Sequence, residues 1–289
     1  MAGIDYGTSS YFLYIAIMVA LTVFMDLILR KQSVRTKSMV LFMLLLSAFM
    51  LHFLKIVMVE RYQSDLPQSW RYASLENICA VSVVVFPWIF LSKSTTLKDY
   101  MVIVGTLSGL AAFLIPTEGL GRQPFEAGVI RFYYSHFIIF VVPFLMARWK
   151  IHRISIRRVF VLPFLVYGVM LLVLANEFVL NAIGIVDGSF ELYRTAEFRN
   201  SAFVFGIPEI LSDFKPYVYA LTPKIFLSDP VTGAAVHWPI IWAVVPLYIY
   251  GIVLASITCF VFEPSASRHE LRTLFQQPVP VPAESQEHI

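Results

Sequence analysis

The sequence predicts an all-α, polytopic integral membrane protein, a bundle of seven transmembrane helices. Of its 289 residues, 58% are hydrophobic and only 14% are charged, whereas a soluble domain has about 25% charged residues. The apolar residues are also gathered into stretches of about 20, the length that a helix needs to cross a bilayer. This composition excludes a disordered protein, a coiled coil and a nucleic-acid-binding domain, and it favours membrane lipids as partners.

Seven stretches are long and apolar enough to be spans. No Lys or Arg precedes the first stretch, so we expect a retained span rather than a cleaved signal peptide. The fourth contains Gly105 and Gly109, whose spacing lets a neighbouring helix approach closely. The predicted spans are Tyr11–Leu29, Met39–Val59, Tyr72–Leu91, Tyr100–Ile115, Gly128–Ala147, Val159–Ala182 and Pro239–Phe262.

The Lys and Arg residues of the connections predict the orientation. They are concentrated after the first, third and fifth spans and in the tail, and the more basic side is normally cytoplasmic. We therefore expect the N-terminus outside and the C-terminus in the cytoplasm of a cell-membrane protein, with one transmembrane domain over residues 1–263. Part of the long outer loop 183–238 is expected to lie on the membrane or to dip into it. The cytoplasmic tail 264–289 is expected to begin with a helix, from the capping pattern Ser267-x-x-Glu270, and to end in a mobile segment, Pro278–Pro282.

Several ionisable or polar side chains lie inside the predicted spans. Such groups are costly in lipid and usually face the interior of the bundle. The alternating directions of the spans bring them to one layer, roughly 5–15 Å below the outer surface at a rise of about 1.5 Å per residue. We therefore expect one polar pocket between the second, third, fifth and sixth spans. Its predicted members are His52, Lys55, Glu76, Asn77, Cys79, Arg131, His136 and Glu177.

These residue types suit acyl transfer through a thioester. Cationic neighbours such as Lys55 and Arg131 stabilise a thiolate, and a histidine acts as general base and acid. Glu76, Glu177 or Asn77 would orient the imidazole, and His52 would support the site. No short ligand-spacing motif predicts a metal site, so we expect neither metal nor cofactor. Outside the pocket, Asp26 is expected to pair with Arg30, four residues on.

Four short motifs resemble the YwaF-like family of integral membrane proteins, which includes a human ether-phospholipid acyltransferase. They are Leu75–Cys79 (LENIC), Phe132–His136 (FYYSH), Tyr217–Pro223 (YVYALTP) and His237–Pro239 (HWP). The resemblance implies a helical membrane bundle with Cys79 as nucleophile and His136 as its partner. The chain departs from the family pattern at Asn77, where the family often has histidine, and at Lys215-Pro216, where asparagine usually precedes the first tyrosine.

Three functions remain open at this point. The first is a lipid acyltransferase or acyl hydrolase with Cys79 as acyl acceptor and His136 as base. The second is a transporter or receptor that binds an anionic small molecule in the same pocket, with Arg131 and Lys55 as counter-charges and without catalysis. The third is a structural membrane subunit whose buried charges serve packing only.

Overall fold

The fold was taken from a computed structural model that describes residues 3–63, 66–194, 203–207 and 209–276. These residues form α-helices, short 3-10 helices and connections, with no β-strand among them. The helices are α1 (Ser9–Leu29), α2 (Val34–Met58), α3 (Glu60–Gln63), α4 (Leu66–Ala73), α5 (Ile78–Leu91), α6 (Thr95–Leu114), α7 (Ala127–Arg148), α8 (Leu162–Ala182), α9 (Phe190–Tyr193), α10 (Lys215–Tyr219), α11 (Val244–Phe262) and α12 (Pro264–Phe275).

Six helices of the described residues, rather than seven, are long and apolar enough to cross a membrane. They are α1, α2, α6, α7, α11 and α8 with the 3-10 turn Ile156–Val161 that precedes it. The predicted third span, Tyr72–Leu91, is wrong as a continuous helix. Tyr72 belongs to α4, and α5 has only 14 residues, or about 21 Å, which is short of a bilayer core of about 30 Å.

The break between α4 and α5 follows from two short polar side chains. Ser74 Oγ donates a hydrogen bond to the backbone oxygen of Arg71 (2.6 Å), and Asn77 Oδ1 accepts one from the backbone N–H of Ala80 (2.8 Å). Such side chains compete with the helical hydrogen bonds of the backbone and favour helix ends. Asn77 is therefore the N-cap of α5, and Glu76 lies in the link before it.

The tightest packing in the bundle joins α6 to α7. A Cβ atom added to Gly109 would lie 2.7 Å from the backbone nitrogen of Phe140, and one added to Gly105 would lie 2.9 Å from the backbone oxygen of Ile139. Only glycine permits this approach. The expectation that the helix with Gly105 and Gly109 is tightly packed is confirmed. Most residues of α7 between Val129 and Ala147 are buried.

Helices α8 and α11 meet near the start of α8 and the middle of α11. Gly251, in the middle of α11, faces Pro163 at the start of α8, and a Cβ added to Gly251 would lie 3.3 Å from the Pro163 ring. The ring of Phe164 also meets that of Tyr248, with centroids 5.6 Å apart. The two helices therefore run side by side over the first turns of α8 and the first half of α11.

The long connection 183–238 contains α9, α10 and short 3-10 turns, and residues 195–202 and 208 lie outside the described part. Among the described residues of this connection, Arg194 forms an ion pair with Asp229 (2.5 Å) and lies over the ring of Trp238. Large aromatic side chains such as Phe214 and Tyr217 are exposed. The prediction that part of this loop lies on the membrane stays a prediction.

A cluster of charged and polar side chains joins the start of α6, the α7–α8 connection and α12. Asp99 is buried and accepts hydrogen bonds from His152 Nε2 (2.6 Å) and Arg158 Nε (2.6 Å). Ser155 Oγ donates to Glu270 of α12 (2.6 Å). The predicted tail helix is present, but it begins at Pro264 and not at Ser267. The predicted mobile segment 278–282 lies outside the described residues.

Asp26 does not have the predicted partner. Its carboxylate accepts a hydrogen bond from Trp149 Nε1 (2.7 Å) and lies 3.8 Å from Arg148 Nη2. The expected pair with Arg30 is therefore wrong, because α1 packs on α7 and the end of α7 supplies both groups.

Candidate functional site

One small polar cavity, here called the chamber, lies between α2, α5 and α7. Its volume is about 30 Å³, enough for one or two waters or a single reacting group. Seven of the eight predicted site residues line it. The lining is His52, Lys55, Glu76, Asn77, Cys79, Ala80, Val83, Glu118, Arg131, Ser135, His136 and Ile139.

Helix α2 supplies His52 and Lys55 from one turn of its buried face. His52 Nε2 lies 3.0 Å from the backbone oxygen of Ala73. A carbonyl only accepts hydrogen bonds, so this nitrogen carries the proton. The contact ties α2 to the end of α4. Lys55 is 3% exposed, so α2 contributes a buried cation to the chamber.

Helix α5 presents Cys79 in its first turn. The N-cap satisfies the N–H of Ala80, and Val81 N–H donates to the backbone oxygen of Asn77. The N–H groups of Ile78 and Cys79 have no acceptor in the described part of the chain. A helix N-terminus carries partial positive charge, which favours a negative charge on or beside the Cys79 sulfur.

Helix α7 supplies Arg131, Ser135 and His136. His136 Nδ1 lies 2.7 Å from the backbone oxygen of Phe132 and therefore carries the proton. In the neutral ring, Nε2 is then an acceptor, the form that a general base requires. His136 and Cys79 line the same chamber, and no hydrogen bond joins them in the described residues.

Glu118 is a chamber residue that sequence reasoning missed. Its carboxylate pairs with Arg131 Nη2 at 2.7 Å. The α6–α7 connection that carries Glu118 is fixed by backbone bonds from Gly121 N to the Ile4 oxygen and from Ile4 N to the Arg122 oxygen. Arg131 Nε is buried without an acceptor in the described part of the chain. Arg131 Nη2 therefore pairs with Glu118, whereas Arg131 Nε is left as a hydrogen-bond donor to the chamber.

Glu177 lies outside the chamber, which corrects its predicted place. It is fully buried on α8, and its carboxylate is 3.9 Å from Arg71 Nε. The neighbouring Asn176 donates a hydrogen bond to Ser74 Oγ (2.9 Å). Both side chains therefore hold the α4–α5 link in position. The predicted depth of Glu177 does not determine the direction in which its helix face points.

A second cavity, here called the junction cavity, adjoins the chamber. Its volume is about 370 Å³, and Asn77, Cys79, Glu118 and His136 line it as well as the chamber. The remaining lining includes the last turns of α6 and the apolar side chains of Ile78, Phe132, Phe203 and Leu211. The thiol and the imidazole therefore face both a polar chamber and a larger, more apolar space.

Within the described residues, no group of three or more His, Cys, Asp or Glu side chains is arranged to hold a metal ion. The two cysteines are free thiols. Cys259 lies on α11, buried near the Asp99 cluster and not in the chamber lining.

No curated protein and no solved structure matches the chain. The model of one protein family matches residues 6–188, a range that contains the whole chamber lining and α1 to α8. That family is not the YwaF-like family, so the resemblance drawn from the four short motifs is wrong, and the roles that it implied lose that support. The chain is a multi-pass membrane protein that belongs to the TMEM164 family.

Proposed function

We propose that this protein is a membrane acyltransferase or acyl hydrolase that acts on lipid esters through Cys79 and His136. One observation carries the proposal. A thiol at a helix N-terminus and an imidazole with an acceptor nitrogen, from different helices, face the same chamber beside two cations. A nucleophile, a base and groups that stabilise negative charge are the parts that acyl transfer requires.

The first half-reaction forms a thioester. His136 Nε2 accepts the thiol proton while the Cys79 sulfur attacks the ester carbonyl carbon. The tetrahedral intermediate collapses with cleavage of the carbon–oxygen ester bond, and the leaving oxygen takes the proton from His136. Burial disfavours a free thiolate, so proton removal and attack are expected to be concerted.

The second half-reaction releases the acyl group. The hydroxyl of an acceptor lipid, or water, attacks the thioester carbonyl and gives its proton to His136. The carbon–sulfur bond breaks, and the Cys79 sulfur recovers the proton. A lipid acceptor makes the protein an acyltransferase, and water makes it a hydrolase.

Two sets of donors suit the oxyanion of both steps. The N–H groups of Ile78 and Cys79 lie at the start of α5 beside the sulfur, and Arg131 Nε lines the chamber from α7. Donors in a dry site stabilise a developing negative charge strongly, and the loss of one costs roughly 10²–10³-fold in rate. Lys55 adds a buried positive charge to the same space.

The alternative is a transporter or receptor that binds an anion without catalysis. The size of the chamber weighs against it, because a volume of about 30 Å³ has little room for an organic anion. The predicted cell-membrane location and orientation are part of the proposal.

The test is lipid ester turnover by the purified full chain in nanodiscs that contain a phospholipid with a fluorescent acyl chain. Cys79→Ala should abolish turnover, and Cys259→Ala is the matched control because it removes the other thiol, away from the chamber. His136→Gln should lower the rate by about 10²–10⁴-fold. Turnover by Cys79→Ala at the rate of the Cys259→Ala control would overturn the thioester mechanism. Ligand-dependent thermal stabilisation that Arg131→Ala abolishes and Cys79→Ala leaves intact would favour the anion-binding alternative.

A further inference from the structure

An apolar groove lies between α8 and α11, beyond the junction cavity. Its volume is about 330 Å³, and among the described residues no charged side chain lines it. The walls include Val166 and Met170 of α8 and Leu247 and Tyr250 of α11. Cavities of about 300–1,000 Å³ are the usual size of small-molecule sites, so the groove is large enough for part of a lipid.

The groove and the junction cavity meet at three side chains. Ile78, Phe203 and Leu211 line both of them. Ile78 directly precedes Cys79 in the sequence, so the junction lies beside the proposed nucleophile. Together the chamber, the junction cavity and the groove form a series that changes from polar to apolar with distance from the thiol.

The backbone at this junction is strained. Phe203 has a positive φ of 61°, a strained conformation for a residue with a side chain, and one that occurs preferentially at functional sites. Its ring is 40% exposed and faces both spaces. Phe203 therefore lies, with a strained backbone, at the point where the two cavities meet.

The groove is accessible from the bilayer side of the bundle. It lies between two membrane-spanning helices, and its rim includes exposed Phe214 and Tyr250. With α8 and α11 as spans, an apolar surface at this position would meet lipid tails rather than water. A polar ligand would lose its hydration without compensation there, whereas an acyl chain would exchange one apolar environment for another.

We infer that the junction cavity and the groove bind one acyl chain of a membrane lipid, with the ester carbonyl of that chain in the chamber beside Cys79. This inference rests on the proposed function and adds the place where the acyl chain binds and the direction from which the lipid enters. The lipid moves sideways from the bilayer between α8 and α11, and the distal part of the groove sets the longest chain that fits.

Photolabelling of the full chain in nanodiscs tests the inference. The probe is a phosphatidylcholine with a diazirine at the end of one long acyl chain, and labelled residues are mapped by mass spectrometry. We expect labels on the groove walls of α8 and α11. Leu247→Trp fills the groove from α11, and Val166→Trp fills it from the opposite wall. Leu254→Trp is the matched control, because Leu254 lies two turns along α11 and is exposed outside the groove.

Both groove variants should lose groove labelling, and in the turnover assay they should shift the preference towards shorter chains. Leu254→Trp should retain the labelling and the chain preference. Equal labelling of Leu247→Trp and Leu254→Trp would overturn the inference. A changed oligomeric mass of Leu247→Trp with unchanged labelling would assign the groove to a second copy of the chain and would also overturn it.

The Cys79→Ala variant separates this inference from the proposed function. It should keep groove labelling, since binding of the chain does not require the thiol. Groove labelling without Cys79-dependent turnover would refute the proposed chemistry alone. Cys79-dependent turnover without groove labelling would refute the acyl-chain site alone.

Discussion

Substitution of Gly109 by alanine tests the link between helix packing and the site. The new methyl group would lie 2.7 Å from the backbone nitrogen and the Cβ atom of Phe140, a distance at which the two helices must separate. Phe140 is one turn beyond His136 on α7, so this separation displaces the proposed base. Overpacking of this kind costs about 1–3 kcal/mol. For a chain of this size we expect the apparent Tm to fall by about 2–4 °C for each kcal/mol.

The matched control is Gly168→Ala in α8, because a Cβ at Gly168 meets nothing within 4 Å. That substitution should leave the apparent Tm unchanged or raise it slightly, since alanine is the better helix former. The assay is thermal unfolding of both variants in the same detergent, with lipid turnover measured in parallel. Equal Tm values for the two variants would refute the claim that the Gly109 contact sets the distance between α6 and α7.

Three further predictions concern charged groups. Arg131→Gln should destabilise the protein by about 2–3 kcal/mol. Breaking a fully buried pair costs about 3–5 kcal/mol, and the cost here is smaller because the Glu118 side chain is 35% exposed. The double variant with Glu118→Gln should recover part of the lost Tm, and strictly additive effects of the two substitutions would contradict the pairing. Asp99→Asn leaves Arg158 and His152 without their carboxylate partner and should cost about 3–5 kcal/mol, measured by thermal unfolding. The hydrogen bond from Arg194 and two backbone N–H groups hold the pKa of Asp229 well below its usual range. The ionised Asp229 therefore stabilises the loop at pH values above the usual pKa of an aspartate, and this stabilisation is lost as the pH falls through the lowered pKa. Proteolysis of the loop should then increase in acid, and Asp229→Asn should remove that pH dependence.

Hydropathy predicted most of the fold, because a continuous apolar stretch is a direct signal for a spanning helix. It failed at residues 72–77, where Ser74 and Asn77 end one helix and cap the next inside a segment that is apolar on average. The capping signal was present in the sequence, since Asn77 directly precedes the apolar run of α5. The high mean hydropathy of the surrounding segment led to the prediction of one continuous span despite this cap.

The candidate site was predictable where charge lies inside an apolar helix. Lys55, Arg131 and His136 are conspicuous for that reason, and the structure brings them together with Cys79. Glu118 was missed because it lies in a connection, where a carboxylate is ordinary and only tertiary structure shows its contact with Arg131.

Glu177 was predicted on the wrong face of its helix, since the rotation of a helix that is apolar on all sides is not encoded in its hydropathy. The packing of α8 beside the α4–α5 link determines that its carboxylate faces Arg71.

The central claim is that the Cys79 sulfur carries the acyl group during turnover. The most direct measurement is peptide mass spectrometry of the full chain, quenched in acid while it turns over a phospholipid in nanodiscs. We predict an acyl adduct on the Cys79 peptide that hydroxylamine removes, with none on the Cys259 peptide. Continued lipid turnover with no acyl adduct on Cys79, or with equal labelling of both cysteines, would contradict the claim.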